Sequence, residues 1–358
     1  MSVTSRPAES GSIEAGIPDF AAVEAAAARI APYVQKTPVR TSHSIDALAG
    51  AELLFKCENL QRVGAFKFRG ASNAIWSLPD DVAKRGVVTH SSGNHGAAVA
   101  LAARTRGIAA HVVVPEGAVK AKVAAIERYG ATLHRCPPTM AARDAAVERL
   151  LAETGGTLVH PYMTPAVIAG AATASLELIR EAGRLDALIA PIGGGGLIGG
   201  SAITAHALLP GIRVYAAEPE GAADAYESLR RGTRTTELKP DTLCDGLRAI
   251  IGPINFALLK KYEVAVLTVA DSETIAAMRM IFERMKLVVE PSSAIALAAV
   301  IKYREHFAGK RVGIILSGGT SISTRCRGNR RVRNDVARRG SGVPAFHGDL
   351  RPLRDADV

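Results

Sequence analysis

A chain of 358 residues, 48% hydrophobic and 22% charged, has ordinary globular composition and room for two domains or one large α/β domain. Its four cysteines form no CxxC pair and no metal spacing, which argues against a disulfide scaffold and suits a reduced, cytoplasmic setting. The net charge of +10 suggests nucleic acid only until it is located: from Thr320 to Val358 nine Arg and four Asp supply +5, and the body shows no basic stripe interleaved with aromatics.

In chain order, residues 1–17 read as disordered, with no basic start and apolar core of a signal peptide. Asp19 caps a helix, AAVEAAAARIAPYV. Strand-like and helical runs then alternate. LLFKCE precedes a helix from about Lys67, VVTHS precedes NHGAAVALAARTRG, AAHVVVPE precedes VKAKVAAIERYG, and ATLHRC precedes TMAARDAAVERLLAE. DALIAPI precedes GLIGGSAITAHALL, and RVYAAEPE, AVLTVAD and VGIILS end later units. This alternation predicts an α/β fold of parallel-rich sheets flanked by helices, with ligands gathered at the carboxyl ends of the strands. The uncharged stretch Ala187–Gly211 is long enough to span a membrane, but its glycines, prolines and strand-like start argue against a membrane helix.

Four local patterns carry chemistry. In GAFKFRG, residues 64–70, Lys67 stands between Phe66 and Phe68; a lysine kept from water loses its proton more easily and becomes a nucleophile. A lysine snorkelling from a half-buried helix start is the plainer alternative. In PIGGGGLIGG, residues 191–200, consecutive glycines before a helix can aim several N–H groups at one phosphate. Gly194, Gly196 and Gly199 also satisfy GxGxxG, with Glu218 ending the next strand, so a dinucleotide site in an NAD-dependent oxidoreductase stays open. THSSGNHGAAVA, residues 89–100, brings hydroxyls and free amides to a helix start, a place for a carboxylate or simply a capped helix. ILSGGT, residues 315–320, ends a strand in a hydroxyl and two glycines. A nicotinamide enzyme has no use for the lysine, whereas pyridoxal phosphate needs all four.

With these motifs in this order from Lys36 to Gly319, the chain resembles the fold-type II pyridoxal-phosphate enzymes, specifically the threonine/serine dehydratase and serine racemase group, with its tryptophan synthase β-like fold. The resemblance implies a large cofactor-binding domain (18–85 plus 161–319) and a small substrate-side domain (86–160). It implies that Lys67 is joined covalently to the cofactor, with Phe66 on one face of the ring and Gly246 on the other. The amides of Gly193, Gly194, Gly195, Gly196 and Leu197 would hold the phosphate, Asn94 the ring hydroxyl and Ser317 the ring nitrogen. Ser91, Ser92, Gly93, Asn94 and His95 would bind the substrate carboxylate, and Ser92 sits where the racemase keeps a second base. EPEGAAD, residues 218–224, resembles a divalent-cation site, implying Mg²⁺ on Glu218, the Ala222 carbonyl and Asp224.

The implied activity is β-elimination from a 3-hydroxy-L-amino acid, with serine racemase the alternative and a homodimer the implied assembly. Ala65 and VIAGAAT (167–173) depart from the family pattern and leave the side chain of the substrate open: serine, threonine, 3-hydroxyaspartate or 3-phenylserine. Arg143 reads as an exposed helix arginine, with recognition of a second carboxylate as the alternative. Relatives continue SGGNVDL, where this chain reads SGGTSISTRC and then an arginine-rich tail. One added base before a plausible coding of Thr320–Cys326 restores Asn-Val-Asp-Leu, so residues 320–358 read as an irregular tail from a shifted frame, with a genuine variable tail as the alternative.

Overall fold

The computed structural model describes residues 16–320; the readings for most of 1–17 and for the tail lie outside them. Its strands are β1 (Val39–Arg40), β2 (Glu52–Cys57), β3 (Val87–His90), β4 (Ala110–Pro115), β5 (Thr132–Cys136), β6 (Thr157–Leu158), β7 (Ala187–Pro191), β8 (Arg213–Pro219), β9 (Ala265–Val269) and β10 (Arg311–Leu316). Among the described residues, helices of eight residues or more are α1 (Phe20–Ile30), α2 (Lys67–Trp76), α3 (Asn94–Arg106), α4 (Lys120–Arg128), α5 (Met140–Thr154) and α6 (Pro165–Ala182), then α7 (Gly196–Leu208), α8 (Asp224–Arg231), α9 (Pro253–Lys261), α10 (Asp271–Met280) and α11 (Pro291–Lys302).

The strands form two sheets, one ordered β1-β2-β10-β7-β8-β9 and the other β5-β4-β3-β6. Every pairing is parallel except β1 with β2, as strand–helix alternation requires. In the larger sheet successive residues serve opposite faces. Leu54, Leu188 and Ile315 join one apolar cluster, whereas Phe55, Ile189 and Ile314 join the other. A sheet covered on both sides needs the near-continuous apolar runs seen in ALIAP and VGIIL. Each fully buried Leu or Ile there contributes about 1.5–3 kcal/mol.

The Asp19 carboxylate accepts from Ala22 N at 2.8 Å and caps α1 as expected. The helix stops at Ile30 rather than running to Val34, because Pro32 has no N–H to continue it. Helix α6 gave no separate sequence signal, since burial on nearly every side leaves no polar face. It packs on α2 at backbone distance: a Cβ on Gly170 would lie 2.6 Å from the Arg69 carbonyl oxygen. No helix among the described residues is long and apolar enough to cross a membrane.

Candidate active site

The turn into α2 is tied to the end of β10. Ala65 bridges Gly318, and Phe66 N donates to Ser317 O at 3.0 Å. This brings the Lys67 side chain into the cleft, where Nζ donates to Pro161 O at 2.8 Å and lies 5.0 Å from the Phe66 ring centroid. Loss of water around it lowers the amine to about 8, within reach of a neutral nucleophile at ordinary pH. Beside it, burial, then His90 and then Lys67 push the His160 imidazole down to about 3. Its Nδ1 accepts from Tyr162 N at 3.3 Å and Met163 N at 3.2 Å, which fixes a neutral ring with no proton on that nitrogen.

Two residues beyond Lys67, Arg69 is fully buried in a charge cluster. It donates to Glu58 at 2.7 and 2.8 Å and to Glu177 at 2.8 Å, while Lys56 reaches Glu177 at 2.5 Å. Two cations meet two carboxylates, so the cluster is neutral and pins the first turn of α2 to β2 and α6.

The glycine loop after β7 forms the second wall. Among the described residues, the N–H groups of Gly193, Gly194, Gly195, Gly196 and Leu197 donate to no protein acceptor, although all five residues are buried. Buried amides without acceptors call for an anion. Gly195 holds φ at +90°, which a side chain would strain, and a Cβ on Gly194 would collide with the Tyr162 ring at 2.4 Å. These residues therefore fit the phosphate of pyridoxal phosphate.

The loop after β3 supplies the third wall. Gly93 N donates to Ser91 Oγ at 3.2 Å, and a Cβ on Gly96 would lie 2.2 Å from Ser91 O, so only glycine allows this curl. The Ser92 hydroxyl has no hydrogen-bond partner among the described residues. His95 is buried, with Nε2 2.9 Å from Val159 O. Asn94 Nδ2 donates to Glu290 Oε1 at 3.0 Å, and the Thr320 hydroxyl donates to Asn94 Oδ1 and to Glu290. Burial, with Asp245 adding to it, pushes the Glu290 carboxyl up. Gly246 N donates to Ser292 Oγ at 2.9 Å, and Ser317 Oγ reaches Ser292 O at 3.5 Å. Phe66, Lys67, Ser317, Gly246, Asn94 and the glycine loop thus share one cleft. Glu290 was not foreseen; a lone acid before a proline gives no sequence signal of burial.

Arg143 is half-buried rather than exposed. Among the described residues it makes no ion pair, and its charge acts on His90 and Tyr162. The reading of it as an ordinary surface arginine is corrected accordingly.

Glu218 is fully buried and accepts from Ala225 N and Tyr226 N, both at 2.8 Å, capping α8. Each of its oxygens accepts one backbone N–H, which fixes the carboxylate toward the start of α8. Asp224 Oδ2 accepts from Ile251 N at 2.8 Å, while Oδ1 is buried without a partner. The Ala222 carbonyl accepts no backbone N–H among the described residues. Burial raises Glu218 to about 8 and Asp224 to about 6. Asp224 Oδ1 and the Ala222 carbonyl, left over beside Glu218, are hard oxygen donors of the kind a divalent cation takes.

A parallel α/β fold with a buried lysine facing an anion cradle defines the class of aldehyde-cofactor enzymes. The comparisons with known proteins narrow it. Residues 30–318 match the model of the family described as pyridoxal-phosphate dependent enzyme. The chain is 45% identical to a beta-hydroxyaspartate dehydratase of Paracoccus denitrificans, over 85% of this chain and 96% of that protein. It is 48% identical to a serine racemase of Dictyostelium discoideum, over 81% and 91%. Maize serine racemase superposes with a TM-score of 0.84 at 42% identity, covering 89% of this chain and 98% of that one. The chain belongs to the pyridoxal-phosphate dependent enzyme family, with the fold-type II architecture.

Proposed function

We propose that the protein is a pyridoxal-phosphate-dependent dehydratase, an ammonia-lyase that converts a 3-hydroxy-L-amino acid to a 2-oxo acid and ammonia. The observation that carries this is the Lys67 amine, desolvated and held on Pro161 O, next to a Tyr162 that packs on a loop of five buried amides with no acceptor among the described residues. Lys67 would carry the cofactor, the loop Gly193–Leu197 would hold its phosphate, and Phe66 and Gly246 would flank its ring. Asn94 would meet the ring hydroxyl and Ser317 the ring nitrogen. When bound, the cofactor supplies an electron sink for the charge left at the substrate α-carbon. A neutral Ser317 hydroxyl leaves that sink weaker than a carboxylate would, which suits elimination.

Ser91, Ser92, Gly93, Asn94 and His95 bind the substrate carboxylate through the start of α3. The displaced Lys67 amine, neutral near its lowered pKa, takes the α-proton on its own side. The Ser92 hydroxyl has no partner among the described residues, which favours serine racemisation as the second reading: a proton delivered by it to the face opposite Lys67 would give the D-product. Arg143, half-buried beside His90 and Tyr162, supports a substrate with a second carboxylate. The dehydratase relative named for beta-hydroxyaspartate agrees with that choice. Mg²⁺ on Glu218, the Ala222 carbonyl and Asp224 belongs to the same reading, as do cytoplasmic residence, a homodimer, and a substrate-side domain of residues 86–160 against a cofactor domain of 18–85 and 161–319.

The deciding experiment assays L-serine, L-threonine, threo-3-hydroxyaspartate and 3-phenylserine for ammonia and for D-product. Ammonia released fastest from 3-hydroxyaspartate supports the reading, with Arg143→Leu raising KM for that substrate and sparing serine. No ammonia from any of the four removes the dehydratase. Ser92→Ala should cut racemisation more than elimination; equal losses refute a two-sided proton exchange.

A further inference from the structure

Asn255, near the start of α9, is fully buried and bridges two carbonyls. Its Nδ2 donates to Gly194 O at 2.6 Å and to Tyr162 O at 2.8 Å. Both neighbours are carbonyl oxygens, so only the NH₂ end of the amide can face them. That orientation leaves Asn255 Oδ1 buried with no donor. An unsatisfied buried acceptor costs free energy, so the position gives up stability to keep its donors on these two oxygens.

The two carbonyls belong to two separate segments of the site that this one nitrogen ties together. Tyr162 follows Pro161, whose carbonyl takes the Lys67 amine at 2.8 Å. Gly194 lies within the anion cradle, and its carbonyl also accepts from Gly252 N at 3.1 Å. In a planar trans peptide the carbonyl and the following N–H point opposite ways. Pulling the Gly194 carbonyl toward α9 therefore turns the Gly195 N–H toward the cradle. The close approach of Gly195 to Asn255, where a Cβ would sit 2.7 Å from the asparagine Cβ, locks the same turn from behind.

We propose that Asn255 is a positioning residue that sets the spacing between the lysine end of the site and its anion cradle. This rests on the cofactor reading above and adds a role that the family motifs do not mark. The test uses the cofactor-free full chain, titrated by absorbance with pyridoxal phosphate and with pyridoxal, which has no phosphate. Inorganic phosphate serves as a competing probe, and thermal melting is followed in parallel. Asn255→Asp keeps the shape and removes the donors; Asn255→Ala removes them without adding charge.

In either variant, pyridoxal phosphate and inorganic phosphate should bind at least about tenfold more weakly, the scale of two lost hydrogen bonds, while pyridoxal changes by less than about twofold. Lys67 should still be modified by the aldehyde. Equal weakening of pyridoxal and pyridoxal phosphate, or phosphate affinity within about twofold of the parent, overturns the proposal. A parent chain that binds neither pyridoxal phosphate nor phosphate overturns the cofactor reading instead, so the two failures are told apart.

Discussion

At the scale of single residues, the lowered pKa of Lys67 follows from where its amine is placed. Among the described residues no carboxylate pairs with it; it has one carbonyl and an aromatic face, and its burial penalises the charged form. In the cofactor-free chain its acylation should therefore rise with pH around a midpoint near 8, because only the neutral form reacts. Peptide mapping after brief labelling across a pH series checks this. A midpoint above 10, as for a lysine in water, would rule out a desolvated nucleophile.

Lys67 was legible because its apolar neighbours are adjacent in sequence, and the glycine loop because four glycines in a row have few other uses. Glu290 was not, since it meets Asn94 across 196 positions and only folding reveals the contact. Asn255 was hidden for the same reason. Arg143 is less exposed than the sequence reading had it, because helix periodicity does not report what packs near the start of a helix.

At the scale of elements, the helices around the site are set by buried charge as much as by apolar packing. The first turn of α2 is held to β2 and α6 by Arg69, Glu58, Lys56 and Glu177. Removing one member of such a cluster leaves the others without compensation. Arg69→Leu should cost about 3–5 kcal/mol, read from denaturant unfolding. A loss under about 1 kcal/mol would mean that the cluster is no more than a surface-like pair.

Helix α8 poses the complementary problem, with Glu218 spent on its cap and Asp224 Oδ1 unmatched. Added Mg²⁺ should raise the melting temperature and a chelator should reverse it. Asp224→Asn should abolish the gain while keeping the bond from Ile251 N possible through its amide oxygen. An undiminished gain in that variant would place the cation elsewhere. The strands β1 and β6 escaped the sequence reading: two residues each are too short for periodicity to register.

At the scale of the whole molecule, the strand–helix alternation foretold parallel sheets, but not that the strands divide into one of six and one of four. That division depends on which strand finds which edge, a long-range outcome. The motif-bearing loops follow the carboxyl ends of β3, β7 and β10, one from the smaller sheet and two from the larger, so the site requires both. Polar ties among the described residues join the parts around it, the Thr320 hydroxyl on Asn94 among them. Lys122 of α4 pairs with Asp245 beside Gly246, and Asn94 at the start of α3 bonds Glu290 before α11. Both are made by residues within 16–320.

The family match closes at residue 318, and the arginine-rich remainder supplies half the formal charge without a family motif. A chain ending at Thr320, which keeps the hydroxyl bonded to Asn94 and Glu290, should therefore retain cofactor binding, melting temperature and turnover. Its retention on a polyanion resin should fall as the +5 of the tail is removed. Turnover reduced tenfold or more with cofactor affinity intact would instead give the tail a role in the reaction. Resequencing the gene across the Gly319 codon tests the same idea independently: a well-supported frame through the arginine-rich segment refutes a shifted frame.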